Sequence, residues 1–209
     1  TNLLEDAKSR IMAFCGGRAD DDVLIIGTNT TSCVNHLARR ISFEQNDVVL
    51  ISEMEHSSNV LPWMKHSRVV RFRTAADGTP DLNHLDNLLK GNSVSLVAVT
   101  AASNVTGQLL DTHTIARMAH AHGARIFVDA AQFVAHRPID RRLPGDPEFL
   151  DYIAFAAHKM YAPFGTGVLI APRITFEKGW PDQPGGGTVK YLDQDSVIWS
   201  SLPEREQGG

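Results

Sequence analysis

Residues 155–160 read Phe-Ala-Ala-His-Lys-Met and set Lys159 in a stretch that is otherwise almost wholly apolar. With Phe155, Ala156, Ala157, Met160, Tyr161 and Pro163 around it, this lysine is expected to be drawn inward, where an ammonium is costly unless it is used. Burial also lowers an amine's pKa, which is how a lysine becomes a nucleophile or a Schiff-base former near neutral pH. Four further polar stretches could supply partners. Gly27-Thr28-Asn29-Thr30-Thr31-Ser32 runs into a candidate helix, a pattern that cradles a phosphate with backbone N–H groups and hydroxyls or simply caps the helix. Residues 52–59 offer His56, residues 102–107 offer Asn104, and Asp129-Ala130-Ala131-Gln132 offers a carboxylate and an amide. Singly, each has a plain structural reading: His56 as a satisfied surface or core histidine, Asp129 as the cap of a turn. No Gly-Lys-Ser/Thr follows Gly27, and the G-x-G-x-x-G fingerprint of dinucleotide sites does not occur there.

The elements between these stretches tell how they are placed. Seven short runs rich in β-branched residues, at 23–26, 48–51, 69–72, 96–100, 125–128, 152–155 and 167–170, read as strands. Their near-continuous hydrophobicity suits strands buried on both faces, as in a parallel sheet covered by helices. Amphipathic segments at 31–40, 81–90 and 111–121 read as helices, with Asp81 and Asp111 as N-caps and Gly123 as a C-cap. The alternation predicts an α/β domain with a mostly parallel seven-stranded sheet and right-handed crossovers. Ligands of such sheets bind outside the carboxyl ends of the strands, and five strand ends bring the polar stretches to one rim. After Gly179 the chain turns rich in Gly, Pro and polar residues, with Gly185-Gly186-Gly187 and a strand candidate at 188–192. Residues 1–178 are expected to form the main domain and 179–209 an arm of it.

Composition narrows the function classes. At 209 residues, 43% hydrophobic and 21% charged, the chain is of ordinary globular type, and no apolar run reaches the roughly 18 residues of a membrane span. A net charge of −4 without a basic block argues against a nucleic-acid or anionic-membrane surface. The close basic pairs Arg39-Arg40 and Arg141-Arg142 read as solvated helix or loop ends. Cys15 and Cys33 make no disulfide framework, and no signal peptide opens the sequence, so a cytoplasmic setting is expected. His113, His120 and His122 lie on a helix with the last two on different faces, which points to solvated surface rather than a metal site.

Taken in order, Gly27–Asn35, Glu55–Trp63 (E-H-S-S-N-V-L-P-W), Ser103–Gly107 (S-N-V-T-G), Val128–Gln132 (V-D-A-A-Q) and Phe155–Gly167 (F-A-A-H-K-M-Y-A-P-F-G-T-G) resemble the large domain of the class V aminotransferase family of pyridoxal-phosphate (PLP) enzymes. That family includes cysteine desulfurases and selenocysteine lyases. The resemblance implies the type I fold of PLP-dependent transferases and assigns roles. Lys159 matches the lysine that holds PLP as an internal aldimine, and Asp129 the carboxylate on the pyridine nitrogen. His56 matches the histidine stacked on the ring. Gln132 and Asn104 resemble the partners of the phenolic oxygen, while Thr30, Thr31 and His158 fall at the phosphate. It further implies a small amino-acid substrate and a homodimer with shared active sites. Desulfurase or selenocysteine-lyase chemistry is the leading expectation; transamination, epimerisation or other Cα chemistry, or a non-catalytic fragment, are the alternatives.

The departures also carry expectations. The family often has a serine where Ala156 stands, so one phosphate hydroxyl is missing unless Thr28 or Ser32 replaces it. The loop at 141–149, with Pro144, Gly145 and Pro147, is expected on the rim near the site, where it would bear on substrate choice. Neither Cys15 nor Cys33 matches the desulfurase nucleophile. Residues 203–209 resemble a segment that runs, in the family, into the neighbouring subunit's phosphate site, so a small C-terminal domain is expected to be missing from this chain.

Overall fold

The computed structural model describes residues 3–208; Thr1, Asn2 and Gly209, with which the resemblance at the end of the chain closes, lie outside them. Its elements are α1 (Leu3–Phe14), β1 (Asp22–Gly27), α2 (Thr30–Arg40), β2 (Val48–Ser52), α3 (Leu61–His66), β3 (Arg68–Phe72), α4 (Leu82–Gly91), β4 (Val94–Thr100), α5 (Thr112–Ala121), β5 (Arg125–Asp129), β6 (Tyr152–Ala156), β7 (Gly167–Pro172), β8 (Val189–Leu192) and β9 (Val197–Trp199). Seven strands form one sheet in the order β1-β7-β6-β5-β4-β2-β3. β7 runs antiparallel to both its neighbours and the remaining pairings are parallel. β7 therefore begins on the rim where the other strands end, with Gly167 in register with both Gly27 and Ala156.

The period-two pattern of the strands divides the core into two layers. Leu24, Leu50, Val97, Val99, Ile126, Val128, Ile153 and Phe155 face the layer covered by α1, α4 and α5. Val23, Ile25, Val49, Ile51, Leu96, Ala98, Phe127 and Ala154 alternate with them and face α2 and α3. Both faces are buried, as the unbroken apolar runs require. The capping signals also hold. Asp81 accepts from the His84 N–H at 2.9 Å, Asp111 from the Thr114 N–H at 3.1 Å, and Gly123 takes a left-handed φ of 76° beyond α5.

Several expectations are corrected. α1 and α3 have no counterpart in the sequence reading; α3 is a six-residue helix with Pro62 in its first turn, too short to show a helical period. The loop at 141–149 is not on the rim of the polar stretches. Arg141 holds it at the opposite edge, where the strands begin, through an ion pair with Asp22 and hydrogen bonds to the carbonyls of Leu150 (2.7 Å) and Asp151 (2.6 Å). Arg141 is fully buried and stacks over Phe149 at 4.6 Å, so it is no solvated loop end. Arg40 likewise lies inside, its guanidinium on Glu206 and on the carbonyls of Phe176, Lys178 and Trp180. His120 is half-buried and bridges the Pro147 carbonyl and Asp151, each at 2.8 Å. No helix among the described residues is long and apolar enough to cross a membrane.

Residues after Gly179 pack back on α2 and β1. Glu206 meets His36 at 2.8 Å, Gln207 accepts from the Ile26 N–H of the edge strand β1 at 2.8 Å, and β8 and β9 form an antiparallel hairpin.

Candidate active site

The carboxyl ends of β1, β2, β4, β5 and β6 and the start of β7 surround a cavity of about 530 Å³. Each of Thr30, Thr31, His56, Asn104, Asp129, Gln132, His158 and Lys159 lines it. The sequence blocks that carry these residues are far apart in the chain. A sheet whose parallel strands deliver their following loops to one edge, where antiparallel β7 begins, is what gathers them.

The wall formed by β1 and α2 is set by a capping box. Asn29 is the N-cap, accepting from the Ser32 N–H at 2.8 Å, while the Ser32 hydroxyl accepts from Asn29 N–H and donates to the Asn29 carbonyl. Ser32 is thereby turned to the helix and does not line the cavity, so of the two hydroxyls that could replace the missing serine only Thr28 is in place. Ala156 itself is buried at the end of β6. The N-terminus of α2, with its positive dipole end, opens on the cavity beside Thr28, Thr30 and Thr31.

Asp129 ends β5 and is 5% exposed. It accepts from the Ala131 N–H at 3.0 Å. Burial raises its pKa above the ordinary carboxylate range, against the pull of that hydrogen bond and of Lys159 and His56 nearby. Lys159 sits in the 3-10 turn Ala157–Met160 directly after β6. It is half-buried rather than enclosed. The turn closes at Tyr161 in a left-handed conformation (φ 66°), and this throws the aromatic neighbours outward: Tyr161 is 89% and Phe164 86% exposed. The apolar company that Lys159 keeps in sequence is therefore not its company in space.

His56 stands exposed on the lip, in front of the short turn Ser57–Asn59, and its Nδ1 accepts from the Ser58 N–H at 3.1 Å. Below it Glu55 turns its carboxyl inward, where the Ser52 hydroxyl, the Thr100 N–H (3.0 Å) and the Asn59 amide (2.7 Å) converge on it. Asn59 in turn accepts from the buried Trp63 indole at 2.9 Å. Burial pushes the Glu55 carboxyl up to about 7, with the three donors opposing the rise and Asp129 adding to it. Glu55, Ser58, Thr100 and Phe164 line or underpin the site without having been given a role in it from sequence. For Glu55 a signal was present, since it stands next to His56 inside a quoted block. Among the described residues no group of three or more His, Cys, Asp or Glu is placed to hold a metal ion.

The sheet order, the hydroxyl-lined helix end and the lysine and carboxylate facing one cavity define a type I PLP-dependent transferase fold. The chain belongs to the aminotransferase class-V family, whose model matches residues 1–209 and whose members use pyridoxal 5'-phosphate. A probable cysteine desulfurase of Chlamydia muridarum is 35% identical over 97% of this chain and 51% of its own length. A cysteine desulfurase of Dickeya dadantii is 33% identical over all of this chain and 52% of its own. Among solved structures, the cysteine desulfurase CsdA of Escherichia coli superposes with a TM-score of 0.87 at 28% identity, over 98% of this chain and 52% of that one. The chain thus spans about half the length of the relatives it matches.

The donor set fits a phosphorylated pyridine. Hydroxyls and a helix N-terminus suit the phosphate, and a desolvated carboxylate suits a ring nitrogen that carries a proton. His158 adds a polar atom in want of a partner: its ring stacks on Phe164 at 4.6 Å, and its buried Nδ1 has no hydrogen bond among the described residues.

Proposed function

We propose that this chain is the cofactor-binding part of a PLP enzyme acting on a small amino acid, with cysteine desulfurase- or selenocysteine lyase-like chemistry. The observation that carries the reading is the convergence of Lys159, Asp129 and His56 on one cavity that ends at the N-terminus of α2. PLP supplies an electron-withdrawing ring that stabilises negative charge at the substrate Cα. The chain's residues do the rest. Lys159 is the amine that would hold the cofactor's aldehyde, and it is placed to move a proton at the substrate Cα. Asp129 keeps a proton on the pyridine nitrogen. Its burial makes this effective, since a desolvated carboxylate gains most from an adjacent cation. His56 would pack against the ring, and Asn104 and Gln132 would donate to its phenolic oxygen, all three lining the cavity. Thr28, Thr30, Thr31 and His158 hold the phosphate with the help of the α2 dipole.

The same reading makes residues 1–178 the main domain and 179–209 its arm, in a homodimer with shared sites and a cytoplasmic setting. The exposed Val105, Tyr161 and Phe164, at 84%, 89% and 86%, support a partner surface beside the cavity. Cys15 and Cys33 are both free and buried, which supports a reducing compartment. The substrate is tested by supplying L-cysteine and a thiol reductant to the PLP-loaded protein and following alanine and sulfide. Formation of both supports desulfurase chemistry. A keto acid or a D-amino acid in their place would move the reading to transamination or epimerisation.

A further inference from the structure

Ser58 stands between the two parts of the site. Its N–H donates to His56 Nδ1 at 3.1 Å, its hydroxyl oxygen lies 3.0 Å from the same nitrogen, and that oxygen is 2.7 Å from the hydroxyl of Thr31 on the first turn of α2. An imidazole nitrogen that accepts from a backbone N–H carries no proton, so His56 is held with its proton on Nε2. The two hydroxyls are rotors, and their pair admits two arrangements. In one, Thr31 donates to Ser58 and Ser58 donates to His56 Nδ1. In the other, Ser58 donates to Thr31, and the Thr31 proton points into the cavity.

An anion in the cavity selects the second arrangement, because it can accept only from a Thr31 hydroxyl turned toward it. We propose that Ser58 is a positioning residue which relays occupation of the phosphate loop to His56: anion binding at Thr31 withdraws the Ser58 hydroxyl from His56 Nδ1. No heavy atom has to move and no proton changes owner; one hydrogen bond at Nδ1 is exchanged for one at Thr31. His56 Nδ1 then retains the Ser58 N–H alone, so the imidazole is released from one of its two donors only when a phosphate is seated. Cooperative polarisation along the chain strengthens the Thr31 donation to the anion at the same time.

The inference rests on the reading of Thr31 as a phosphate contact, and its test is independent of any reaction at Lys159. The probe is inorganic phosphate, titrated into the whole chain while the 15N resonance of His56 Nδ1 is followed by NMR. In the native chain the resonance moves with phosphate saturation. In Ser58→Ala it stays at its phosphate-bound position throughout, while Ser58→Thr restores the movement. PLP affinity falls roughly 2- to 10-fold in Ser58→Ala, the loss of one hydrogen bond, and returns in Ser58→Thr. A resonance that responds equally in Ser58→Ala and in the native chain overturns the relay, and so does one that ignores phosphate in the native chain. Failure of Lys159 to take up PLP would instead remove the functional reading and leave the phosphate response standing.

Discussion

Gly167 touches the backbone of Asn29: a methyl group on Gly167 would lie 2.7 Å from the Asn29 Cα and closer still to its carbonyl. The start of β7 and the N-cap of α2 are thus in contact with no room between them, and this contact sets the height of the helix end over the cavity. Gly167→Ala is expected to push the Asn29 turn away. Overpacking of this kind costs roughly 1–3 kcal/mol. Thermal unfolding should show the loss, and PLP binding should weaken further than the stability change accounts for, because the helix end moves with Asn29.

Glu55 makes stability depend on pH. Burial raises its carboxyl from 4.5 to about 7, so between those values the folded chain binds a proton that the unfolded chain has released. The contribution is fully present below 4.5 and is lost as pH rises through about 7. Its span is on the order of 3 kcal/mol. Asp129 and His120 also hold their protons more tightly in the fold and slope the same way, so the comparison must be with Glu55→Gln. Denaturant midpoints measured from pH 5 to 8 should decline less steeply in that variant than in the native chain.

Much of this site was legible in the sequence, and the parts that were not share a cause. A period of two over short apolar runs reports a strand, and a polar block after each run reports a rim, so Lys159, Asp129, His56 and the threonines could be placed together from local pattern alone. The half-burial of Lys159 could not, because it depends on Tyr161 turning left-handed and sending Phe164 outward. Ser32 looked like a cavity hydroxyl, but the capping box with Asn29 claims it. The loop at 141–149 was misplaced because its position depends on Arg141 meeting Asp22, a contact between residues far apart in the chain. Ser58 is invisible as a single residue and acquires meaning only once α2 brings Thr31 to it.

The Arg141–Asp22 pair gives a stability test remote from the site. Both side chains are buried, at 0% and 3% exposure. Removing one partner leaves the other buried charge without its counter-ion, which costs up to about 3–5 kcal/mol. Asp22→Asn should lower the unfolding midpoint by that measure while leaving the affinity for PLP, measured below the transition, within about twofold, as the pair lies at the opposite edge of the sheet.

Cys15 and Cys33 should be inert. Burial pushes both thiols up to about 12, against the weaker pull of Arg141 on Cys15 and of the Ser32 and Gly27 hydrogen bonds on Cys33. A thiol so far from ionised is neither a nucleophile nor a persulfide carrier at neutral pH. An aromatic disulfide reagent should label neither in the native chain and both in denaturant. Rapid labelling of either in the native state would show that the core over α1 or α2 opens.

The most direct test of the account is where PLP attaches. The purified protein, incubated with PLP, should gain a visible absorbance band; borohydride should then bleach it and leave the cofactor on the peptide that contains Lys159, and Lys159→Ala should show neither the band nor the adduct. A protein that stays colourless with PLP, or an adduct on another lysine that survives Lys159→Ala, would contradict it.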